Sequence, residues 1–385
     1  MNDFSESAAA SDDVLVLSYW NLNEPSFGGA RRIEALIEAL GDRTILCQPG
    51  PAHPRLRSHG FRPDLGRRKH GINWGLFNFF VPTTARCVRR LLQLHRPALV
   101  VVTSIWAYWP LRRLKRRPPV VLDAHDVLAG AIEERFGAGH PFTRLVAAWE
   151  GRVVRRVDHV FACSDLDRQQ FIARYGVSPE RVSTVPNGVD IAAWQAAPEG
   201  AVDAEVEALL QGATVLFFMG KLDYQPNREA LQFLARNVMP ALEREADGTT
   251  YRLLVCGGPA PATAPHPAMV LAGRVPDVAP YVRRADICLA PIFTGSGTRL
   301  KILEYLAAGK PVVSTSKGAE GIEGAAGVEF ELAEAEDFAA AVRRLAADPA
   351  AARRMGEAGR QRVAQQYDWH MIRKGWERVF RELVD

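Results

Sequence analysis

Two series of short apolar strand patterns, each alternating with longer helical patterns, constrain the fold of this 385-residue chain most strongly. The strand patterns are continuous apolar runs, which are typical of parallel sheets covered by helices on both faces. A stretch at 194–212, rich in Ala, Pro, Gly and acidic residues, separates the two series. The sequence therefore predicts an α/β protein with two Rossmann-like, doubly wound domains that face a central cleft.

The first series predicts six strands. Gly28 and Gly29 are expected to form a loop after the first strand, and apolar residues at helical spacing follow them. The stretch 49–80 is basic, aromatic and irregular, so no strand is predicted there. The predicted strands are 14–18, 44–47, 98–103, 120–123, 160–163 and 181–185.

The second series predicts strands at 215–219, 252–256, 269–271, 287–290, 311–315 and 328–331. Its predicted helices are 228–243, 279–284, 299–308, 336–346 and 350–366. A final amphipathic helix is expected at 367–385. The predicted domains are therefore 1–195 and 196–366, followed by that helix.

The formal charge is small and unevenly placed. The 48 Lys and Arg residues and 44 Asp and Glu residues leave a net charge of +4, which gives no general attraction to nucleic acid. Basic residues cluster at 55–69 and 112–117, both in the first half. An anionic partner is expected to meet that half, although solvated loops and a helix C-terminus explain such clusters equally well.

Cysteine content and hydropathy bear on location. The five cysteines are widely spaced and form no CxxC pair, which favours free thiols in a reducing compartment and disfavours a zinc site. Residues 1–13 lack the apolar core of a signal peptide, and the longest nearly apolar stretch, 99–109, is too short to span a bilayer. The sequence predicts a soluble, cytoplasmic protein.

The densest chemical signal is the segment PIFTGSGTRLKILEYLAAGKP at 291–311. A turn containing Gly295, Ser296, Gly297 and Thr298 follows a predicted strand and precedes a predicted helix. Small residues let backbone N–H groups approach an anion at a helix N-terminus, where the helix dipole also favours negative charge. The segment therefore predicts a phosphate site. The alternative is a glycine-rich loop before an ordinary surface helix.

Charged residues on the same predicted helix support the phosphate interpretation. Arg299 and Lys301 stand in its first turn, where the dipole disfavours cations unless an anion neutralises them. Glu304 lies further along the helix, and its carboxylate has the chemistry to accept hydrogen bonds from two vicinal hydroxyls, such as those of a ribose.

Two more polar residues follow predicted strands, where ligands of α/β sheets bind. Lys221 comes directly after Gly220, with Asp223 placed to orient it or to cap the turn. His125 is suited to acid–base chemistry or to donating a hydrogen bond to a substrate. Taken alone, Lys221 is more simply a solvated lysine, and His125 a structural histidine held by Asp126.

Two apparent motifs are set aside. Asp165-Leu166-Asp167 matches a DxD metal signature, but Ser164 and Asp167 have the spacing of a helix N-cap pair. The glycines at 28–29 and 295–297 do not complete a GxGxxG fingerprint, which disfavours a hydride-transferring enzyme. The pair at 28–29 still permits a close approach of backbone to a ligand.

These residues together resemble glycosyltransferase family four, the retaining transferases of the two-domain GT-B fold, and its exopolysaccharide-type members above all. The matching segments are the glycine pair at 28–29, His125, Gly220-Lys221 and EYLAAGKPVV at 304–313. Further matches are VPNGVD at 185–190, GRV at 273–275 and YDW at 367–369, so the resemblance covers nearly the whole chain.

The resemblance implies a role for each matching position. Glu304 matches the second glutamate of the family's Glu-x7-Glu motif and would bind the ribose of a nucleotide, while Lys221 would grip the diphosphate. The backbone at Val275 would recognise the base. His125 would lie near the donor sugar and its β-phosphate, and Gly29 in a loop near the diphosphate. The domain 1–195 would bind the acceptor, 196–366 the nucleotide sugar, and the last helix would return to the first domain.

The sequence departs from the family pattern at two positions. Ser296 stands where the first glutamate of the motif is expected, and Asn227 stands where the family has a second diphosphate lysine. Arg299 and Lys301 are predicted to restore the missing positive charge. The change at Ser296 leaves the identity of the donor sugar open.

The expected reaction is transfer of a sugar from a nucleotide diphosphate to a hydroxyl of a saccharide or lipid-linked acceptor, with retention of configuration, in polysaccharide or glycoconjugate biosynthesis. Lys221, Arg299 and the helix N-terminus at Gly297 and Thr298 would stabilise the leaving group, with no metal or other cofactor. The alternatives are a nucleotide-sugar epimerase on the same fold and a non-catalytic nucleotide-sugar sensor.

The acceptor is expected to contact the first domain. Aromatic residues there have the chemistry to stack on a sugar or to hold a lipid, although such residues are more often part of a core. Together with the basic clusters, they predict peripheral contact with an anionic membrane surface, at the inner face of a membrane. These residues are Trp74, Phe77, Phe79, Phe80, Trp106, Tyr108 and Trp109.

Overall fold

A computed structural model of the chain describes residues 11–23, 28–61, 78–196, 201–245 and 248–384. It divides into two compact units. Unit 1 comprises Met1–Pro186 and Arg373–Asp385, and unit 2 comprises Asn187–Ile372. The predicted boundary after residue 195 falls inside unit 2, and the predicted last helix contributes residues to both units.

Unit 1 contains a seven-stranded parallel sheet with the strand order β3-β2-β1-β4-β5-β6-β7. Its strands are β1 (Ser11–Leu17), β2 (Thr44–Pro49), β3 (Ser58–Phe61), β4 (Pro97–Val102), β5 (Val120–Asp123), β6 (His159–Ala162) and β7 (Val182–Thr184). Its helices are α1 (Gly28–Leu40), α2 (Pro82–His95), α3 (Leu128–Phe136), α4 (Pro141–Arg156) and α5 (Asp165–Tyr175).

Unit 2 contains a six-stranded parallel sheet with the order β10-β9-β8-β11-β12-β13. After α6 (Ile191–Ala196) and α7 (Ala204–Leu210) come the strands β8 (Thr214–Met219), β9 (Tyr251–Cys256), β10 (Met269–Gly273), β11 (Ile287–Ala290), β12 (Val312–Ser314) and β13 (Glu331–Leu332). The other helices are α8 (Gln225–Phe233), α9 (Met239–Arg244), α10 (Ala279–Arg284), α11 (Leu300–Ala307), α12 (Phe338–Ala347), α13 (Pro349–Gln366) and α14 (Trp369–Val384).

Both sheets have the doubly wound topology, because each extends in both directions from its first strand. The inner strands bury every residue along their apolar runs, as β11 and β5 show. Their side chains form separate hydrophobic clusters in the two units. The predicted α/β class with two Rossmann-like domains is confirmed.

Three local predictions need correction. The glycine pair at 28–29 forms the first turn of α1 instead of a loop. The edge strand β3 was not predicted, because its sequence SHGF buries only Phe61 and lacks an apolar run. The helix predicted at 228–243 is α8, a π-helical segment at Leu234–Val238 and α9, and Pro240 lies in the first turn of α9.

Two other local predictions are confirmed. The Ser164 hydroxyl accepts a hydrogen bond from the Asp167 N–H at 3.1 Å and donates to Asp167 Oδ2 at 2.8 Å, so the DxD segment begins α5 as an N-cap. The apolar side of α14 is buried, including Trp376 at 0% exposure. All five cysteines are free. Within the described ranges, no helix combines the length and apolar character needed to cross a bilayer.

Candidate functional site

The order of the unit 2 sheet reverses direction between β8 and β11, which are neighbours in the sheet. Ligands of such sheets bind beyond the carboxyl ends of the strands at this switch point. The segment after β8 begins with Gly220 and Lys221, and the segment after β11 contains residues 291–299. The topology therefore places the two strongest sequence signals of unit 2 next to each other.

Glycines let the ends of β8 and β9 approach closely. The Gly220 N–H donates to the Cys256 carbonyl at 3.0 Å. A Cβ on Gly257 would lie 1.8 Å from the Gly220 carbonyl oxygen, and Gly257 has a φ of +133°. A Cβ on Gly220 would lie 2.6 Å from the Asn227 side-chain nitrogen. The backbone contact and the positive φ require glycine at position 257, whereas a side chain at position 220 would have to displace the Asn227 amide, so the backbone after β8 is closely packed on both sides.

Lys221 presents its ammonium group to solvent. The side chain is 55% exposed, and its Nζ lies 3.7 Å from Asp223 Oδ2. The other carboxylate oxygen of Asp223, Oδ1, is buried and has no hydrogen-bond partner in the described part of the chain. The main-chain carbonyl of Lys221 accepts a hydrogen bond from Asn227 Nδ2 at 2.9 Å. The backbone is therefore anchored while the charged end of the side chain stays accessible.

Lys301 reaches the same strand end from α11. Its Nζ donates to Asn227 Oδ1 at 2.7 Å and lies 4.3 Å from the centroid of the Phe218 ring. Burial and the nearby charge of Arg299 lower the pKa of Lys301 to about 7. The Lys301 amine thus contacts Asn227, the residue that stands where the family resemblance expects a lysine.

Arg299 holds the loop after β11. Its guanidinium donates hydrogen bonds to the carbonyls of Gly295 at 2.7 Å, Ser296 at 2.5 Å and Gly297. Gly295 and Gly297 have φ angles of +98° and +76°, which favour glycine. Arg299 is the N-cap residue of α11 and precedes the first turn in which it was predicted to stand. Much of its hydrogen-bonding capacity therefore serves the loop.

The start of α11 also contains an unsatisfied hydroxyl. Thr298 Oγ1 is buried and has no hydrogen-bond partner among the residues described. Glu304 is 7% exposed and lies one turn after Lys301 on the same helix. The next residue, Tyr305, accepts a hydrogen bond from the Met219 N–H at 2.9 Å through its buried hydroxyl. Sequence reasoning missed Tyr305, which fixes α11 against the end of β8.

Val275 lies apart from this group. It follows β10, which is the edge strand two positions from β8, and it packs against a hydrophobic cluster of unit 2. The structure therefore brings together Gly220, Lys221, Lys301 and the loop at 295–299, with Glu304 one turn further along α11. Val275 is placed elsewhere along the same sheet.

The remaining predicted residues belong to unit 1. Gly28 and Gly29 begin α1, and His125 follows β5. Arg32 of α1 connects these two elements, because its guanidinium makes three hydrogen bonds of 2.6–3.1 Å to the Asp123 carboxylate. Both side chains of this pair are fully buried.

Arg32 also makes contacts beyond Asp123. It donates to the carbonyl of Val185 at 2.9 Å and to that of Pro186 at 3.1 Å, and it lies 5.2 Å from the centroid of the Trp376 ring. Arginine is rarely buried without such partners. Sequence reasoning missed Arg32, because no local pattern links it to a carboxylate 91 positions away.

His125 lies near this pair but does not bond to it. Its Nε2 is 3.9 Å from Asp123 Oδ2 and has no hydrogen-bond partner within the described residues. Burial lowers the pKa of His125, and the charge of Arg32 acts in the same direction, against the opposing effect of Asp123. The imidazole is therefore neutral near pH 7, with one nitrogen able to donate and the other to accept.

The aromatic residues of unit 1 divide into two groups. Phe79 and Tyr108 are core residues, at 0% and 3% exposure. Phe80, Trp106 and Trp109 are only partly buried, and the Phe80 ring centroid lies 4.5 Å from that of Trp109. Trp74 and Phe77 lie outside the described residues, as do the basic residues Arg62, Arg67, Arg68 and Lys69.

Comparison with known families gives a consistent result over both units. A sequence model of the family described as Glycosyltransferase Family 4 matches residues 28–193, and one described as Glycosyl transferases group 1 matches residues 213–348. Glycogen synthase of Mycobacterium tuberculosis is 28% identical over 252 residues, which are 62% of this chain and 57% of that protein. D-inositol 3-phosphate glycosyltransferase of Kineococcus radiotolerans is 29% identical over 275 residues, 64% of this chain and 62% of that protein. The matches thus span about three fifths of these relatives.

Solved structures show the same fold over nearly the whole chain. Sucrose-phosphate synthase from Thermosynechococcus elongatus has a TM-score of 0.74 at 18% identity, over 96% of this chain and 99% of that one. Anabaena Alr3699/HepE, solved in complex with UDP, has a TM-score of 0.72 at 15% identity, over 96% of this chain and all of that one. At these identities the likeness shows the fold alone.

Proposed function

This chain belongs to glycosyltransferase family four and has the GT-B fold of two Rossmann-like units, and we propose that it transfers a sugar from a nucleotide-diphosphate donor to a hydroxyl of a saccharide or lipid-linked acceptor. One observation carries the proposal: Lys221, Lys301 and the glycine-rich loop meet at the switch point of unit 2. Structures of HepE with UDP and with UDP-glucose support a nucleotide-sugar donor.

The arrangement suits a diphosphate leaving group. The accessible ammonium of Lys221 and the ammonium of Lys301 supply positive charge, and the first N–H groups of α11 with the Thr298 hydroxyl supply donors. In the proposed reaction the bond from the sugar C1 to the phosphate oxygen breaks while a bond from C1 to the acceptor oxygen forms on the same face. The acceptor proton passes to a phosphate oxygen of the leaving diphosphate. These groups carry the leaving-group charge without a metal or other cofactor.

Lys301 is proposed as the substitute for the lysine that Asn227 replaces. Its hydrogen bond to Asn227 Oδ1 puts the positive charge at that point of the site. Arg299 has a different part in the proposal from the one predicted, because its guanidinium bonds to the loop carbonyls. It is a positioning residue that shapes the loop, and Lys301 supplies the charge.

Donor affinity is expected to depend on pH through Lys301. Its pKa of about 7 in the free protein means that half of the molecules lack this charge at neutral pH. A bound diphosphate favours the protonated form of Lys301. Above pH 7 Lys301 must therefore take up a proton when the donor binds, and the donor affinity falls by up to about tenfold per pH unit. A nucleotide sugar is the suitable ligand for calorimetry, because its phosphates stay ionised throughout this range.

Two variants isolate this effect. Lys301→Met is expected to bind on the order of tenfold more weakly at pH 6.5 to 7 and to lose the pH dependence. Lys301→Arg keeps the charge at every pH tested, so its donor affinity should stay at the high value that the unchanged protein has at low pH. Arg353→Met, an exposed cation on α13, is the matched control. A wild-type affinity that stays constant from pH 7 to 9 would count against Lys301 as a diphosphate ligand.

The other assignments stay predictions from the family resemblance. Glu304 is assigned to the ribose, Val275 to the base and Ser296 to the donor sugar. His125 with Gly28 and Gly29 is assigned to the donor sugar and its phosphate. For His125, the neutral imidazole at pH 7 supports a hydrogen-bonding role over a charged one.

The test begins with a thermal-shift screen of nucleoside diphosphates and nucleotide sugars on the full chain. We expect stabilisation by one base class, because a ligand that binds only the folded state raises its melting temperature. The best donor is then incubated with saccharide and lipid-linked acceptors, and the anomeric configuration of the product is read by proton NMR. Retention of the donor configuration is expected.

The outcomes separate the candidate functions. A protein that no nucleotide stabilises would contradict the proposal. Conversion of the donor to an isomer without an acceptor would indicate an epimerase. Stabilisation with neither hydrolysis nor transfer across the acceptor set would indicate a non-catalytic sensor.

A further inference from the structure

One face of unit 1 has a charge distribution that the proposed donor site does not use. Between residues 78 and 122 the chain has nine Lys and Arg residues and no Asp or Glu, although the whole chain is almost neutral. In the described part of the chain, no carboxylate pairs with Arg86, Arg89 or Arg90, whereas Arg117 pairs with Asp158. The three guanidinium groups of α2 therefore have no compensating negative charge among the residues described.

Helix α2 turns its charged side to solvent. Thr84, Val88, Leu91 and Leu92 are buried, whereas Arg86, Arg89, Arg90 and Leu94 are exposed, Leu94 at 64%. The spacing of these exposed residues is that of one helical face. The face combines three guanidinium groups with one large apolar side chain that the described residues of the unit leave exposed.

The segment that follows β4 continues this charge. Burial lowers the pKa of Arg112, and the positive charges of Arg113 and Arg89 lower it further. Arg112 therefore lies near both of these arginines. The Arg112 guanidinium lies 3.6 Å from the centroid of the Trp109 ring. Arg113, Lys115 and Arg116 are exposed. Positive charges this close repel one another, and an anionic partner that binds to them relieves the repulsion.

Helix α4 supplies the apolar part of the same face. Trp149 lies 5.2 Å from Trp109 between ring centroids, and its Nε1 donates to the Ile105 carbonyl at 3.1 Å. Leu145 is 65% exposed and Phe142 is 37% exposed, at positions that share one side of the helix with Trp149. Arg152 and Arg156 extend that side with positive charge, and Arg156 donates to the Arg112 carbonyl at 3.3 Å.

We propose that this face, formed by the exposed sides of α2 and α4 and by residues 105–116, docks unit 1 on an anionic lipid bilayer. The arginines would meet the headgroups, while Leu94, Phe142 and Leu145 would enter the boundary between headgroups and acyl chains. Partly buried tryptophans such as Trp106 and Trp109 suit that boundary, because their rings are apolar with one polar N–H. A nucleic acid would satisfy the charges but would leave the exposed leucines in water, so the bilayer is favoured.

The test measures co-sedimentation of the full chain with phosphatidylcholine vesicles prepared with or without phosphatidylglycerol. Binding is expected only with the anionic lipid and should weaken as salt is added. The triple variant Arg86→Gln, Arg89→Gln, Arg90→Gln should bind roughly 100-fold more weakly. The control Arg244→Gln, Arg353→Gln, Arg354→Gln removes the same charge from exposed positions of unit 2 and should bind as the unchanged chain does.

A second variant separates a bilayer from a soluble polyanion. Leu145→Ser should reduce vesicle binding by roughly tenfold and leave retention on heparin unchanged, because only the bilayer contacts the apolar side chain. Absence of vesicle binding at low salt would overturn the proposal, as would equal binding by the triple variant and its control. Retention on heparin or duplex DNA without vesicle binding would also overturn it. Vesicle binding is measured without a donor, so this result is independent of the proposed transferase activity.

Discussion

Replacing Arg32 with methionine is expected to destabilise unit 1 by about 3–5 kcal/mol, a larger effect than any other single substitution considered for this unit. The guanidinium and the Asp123 carboxylate are both fully buried, so the variant leaves an unpaired carboxylate away from water. It also removes the donors to the carbonyls of Val185 and Pro186. Burial alone would lower the pKa of Arg32, but the charge of Asp123 raises it above its ordinary value, so the guanidinium stays charged.

The free energy of unfolding is measured by urea titration, with tryptophan fluorescence as the readout. The double variant Arg32→Met, Asp123→Leu is expected to lose less stability than either single variant, because no buried charge is left unpaired. Arg174→Met is the matched control: its ion pair with Glu133 is about one third exposed on both sides and should contribute less than about 1 kcal/mol. If Arg32→Met loses no more stability than this control, the buried pair does not hold unit 1 together.

Replacing Lys221 with methionine is expected to lower kcat by roughly 10²- to 10³-fold, the range found when one group that stabilises developing negative charge is removed. The side chain is more than half exposed, and among the described residues its ammonium group pairs with Asp223 alone, at 3.7 Å, so its loss should leave the melting temperature unchanged. This combination of a large catalytic loss and an unchanged fold is the expected signature of a residue that acts on the leaving group. Lys221→Arg should recover part of the rate, because it restores the charge with a different shape.

Glu304→Gln provides the comparison within the same site. If the carboxylate binds the ribose equally in the ground and transition states, the variant raises the donor KM and leaves kcat close to that of the unchanged enzyme. Glu304 is buried, so its melting temperature must be recorded alongside the kinetics. Arg353→Met again serves as the exposed-charge control. A kcat within a few fold of normal for Lys221→Met, together with an unchanged donor KM for Glu304→Gln, would refute the assignment of this site.

The sequence predicted the sheets more accurately than the turns between them. The strands β5 and β11 have the bounds that their apolar runs predict, because a buried parallel strand needs uninterrupted apolar residues. The edge strand β3 escaped prediction because it buries a single residue. Gly28 and Gly29 were expected in a loop, since glycine has low helix propensity, yet packing of Ala30 and Ile33 extends α1 back to them.

In the candidate site, the kinds of residue were predicted but their contacts were not. Arg299 and Lys301 are only two positions apart and looked equivalent in the sequence, yet one bonds to the loop carbonyls and the other to Asn227. Their side chains leave the backbone in different directions, and only the position of α8 decides which one reaches Asn227. The hydroxyl of Tyr305, which fixes α11 against the end of β8, has no sequence signal, because tyrosines are common in apolar helices.

By itself, the sequence determined the two Rossmann-like sheets, the glycine-rich loop after β11 and the family, because apolar periodicity and short motifs are local properties of the chain. The tertiary structure alone decided that Lys301 reaches Asn227, 74 positions earlier, and that Arg32 neutralises Asp123, 91 positions later. It also brought Arg156 of α4 to the Arg112 carbonyl and placed the Arg112 guanidinium over the Trp109 ring. Such contacts depend on which helices and strands become neighbours in the fold, and the distance between two residues along the sequence does not reveal this.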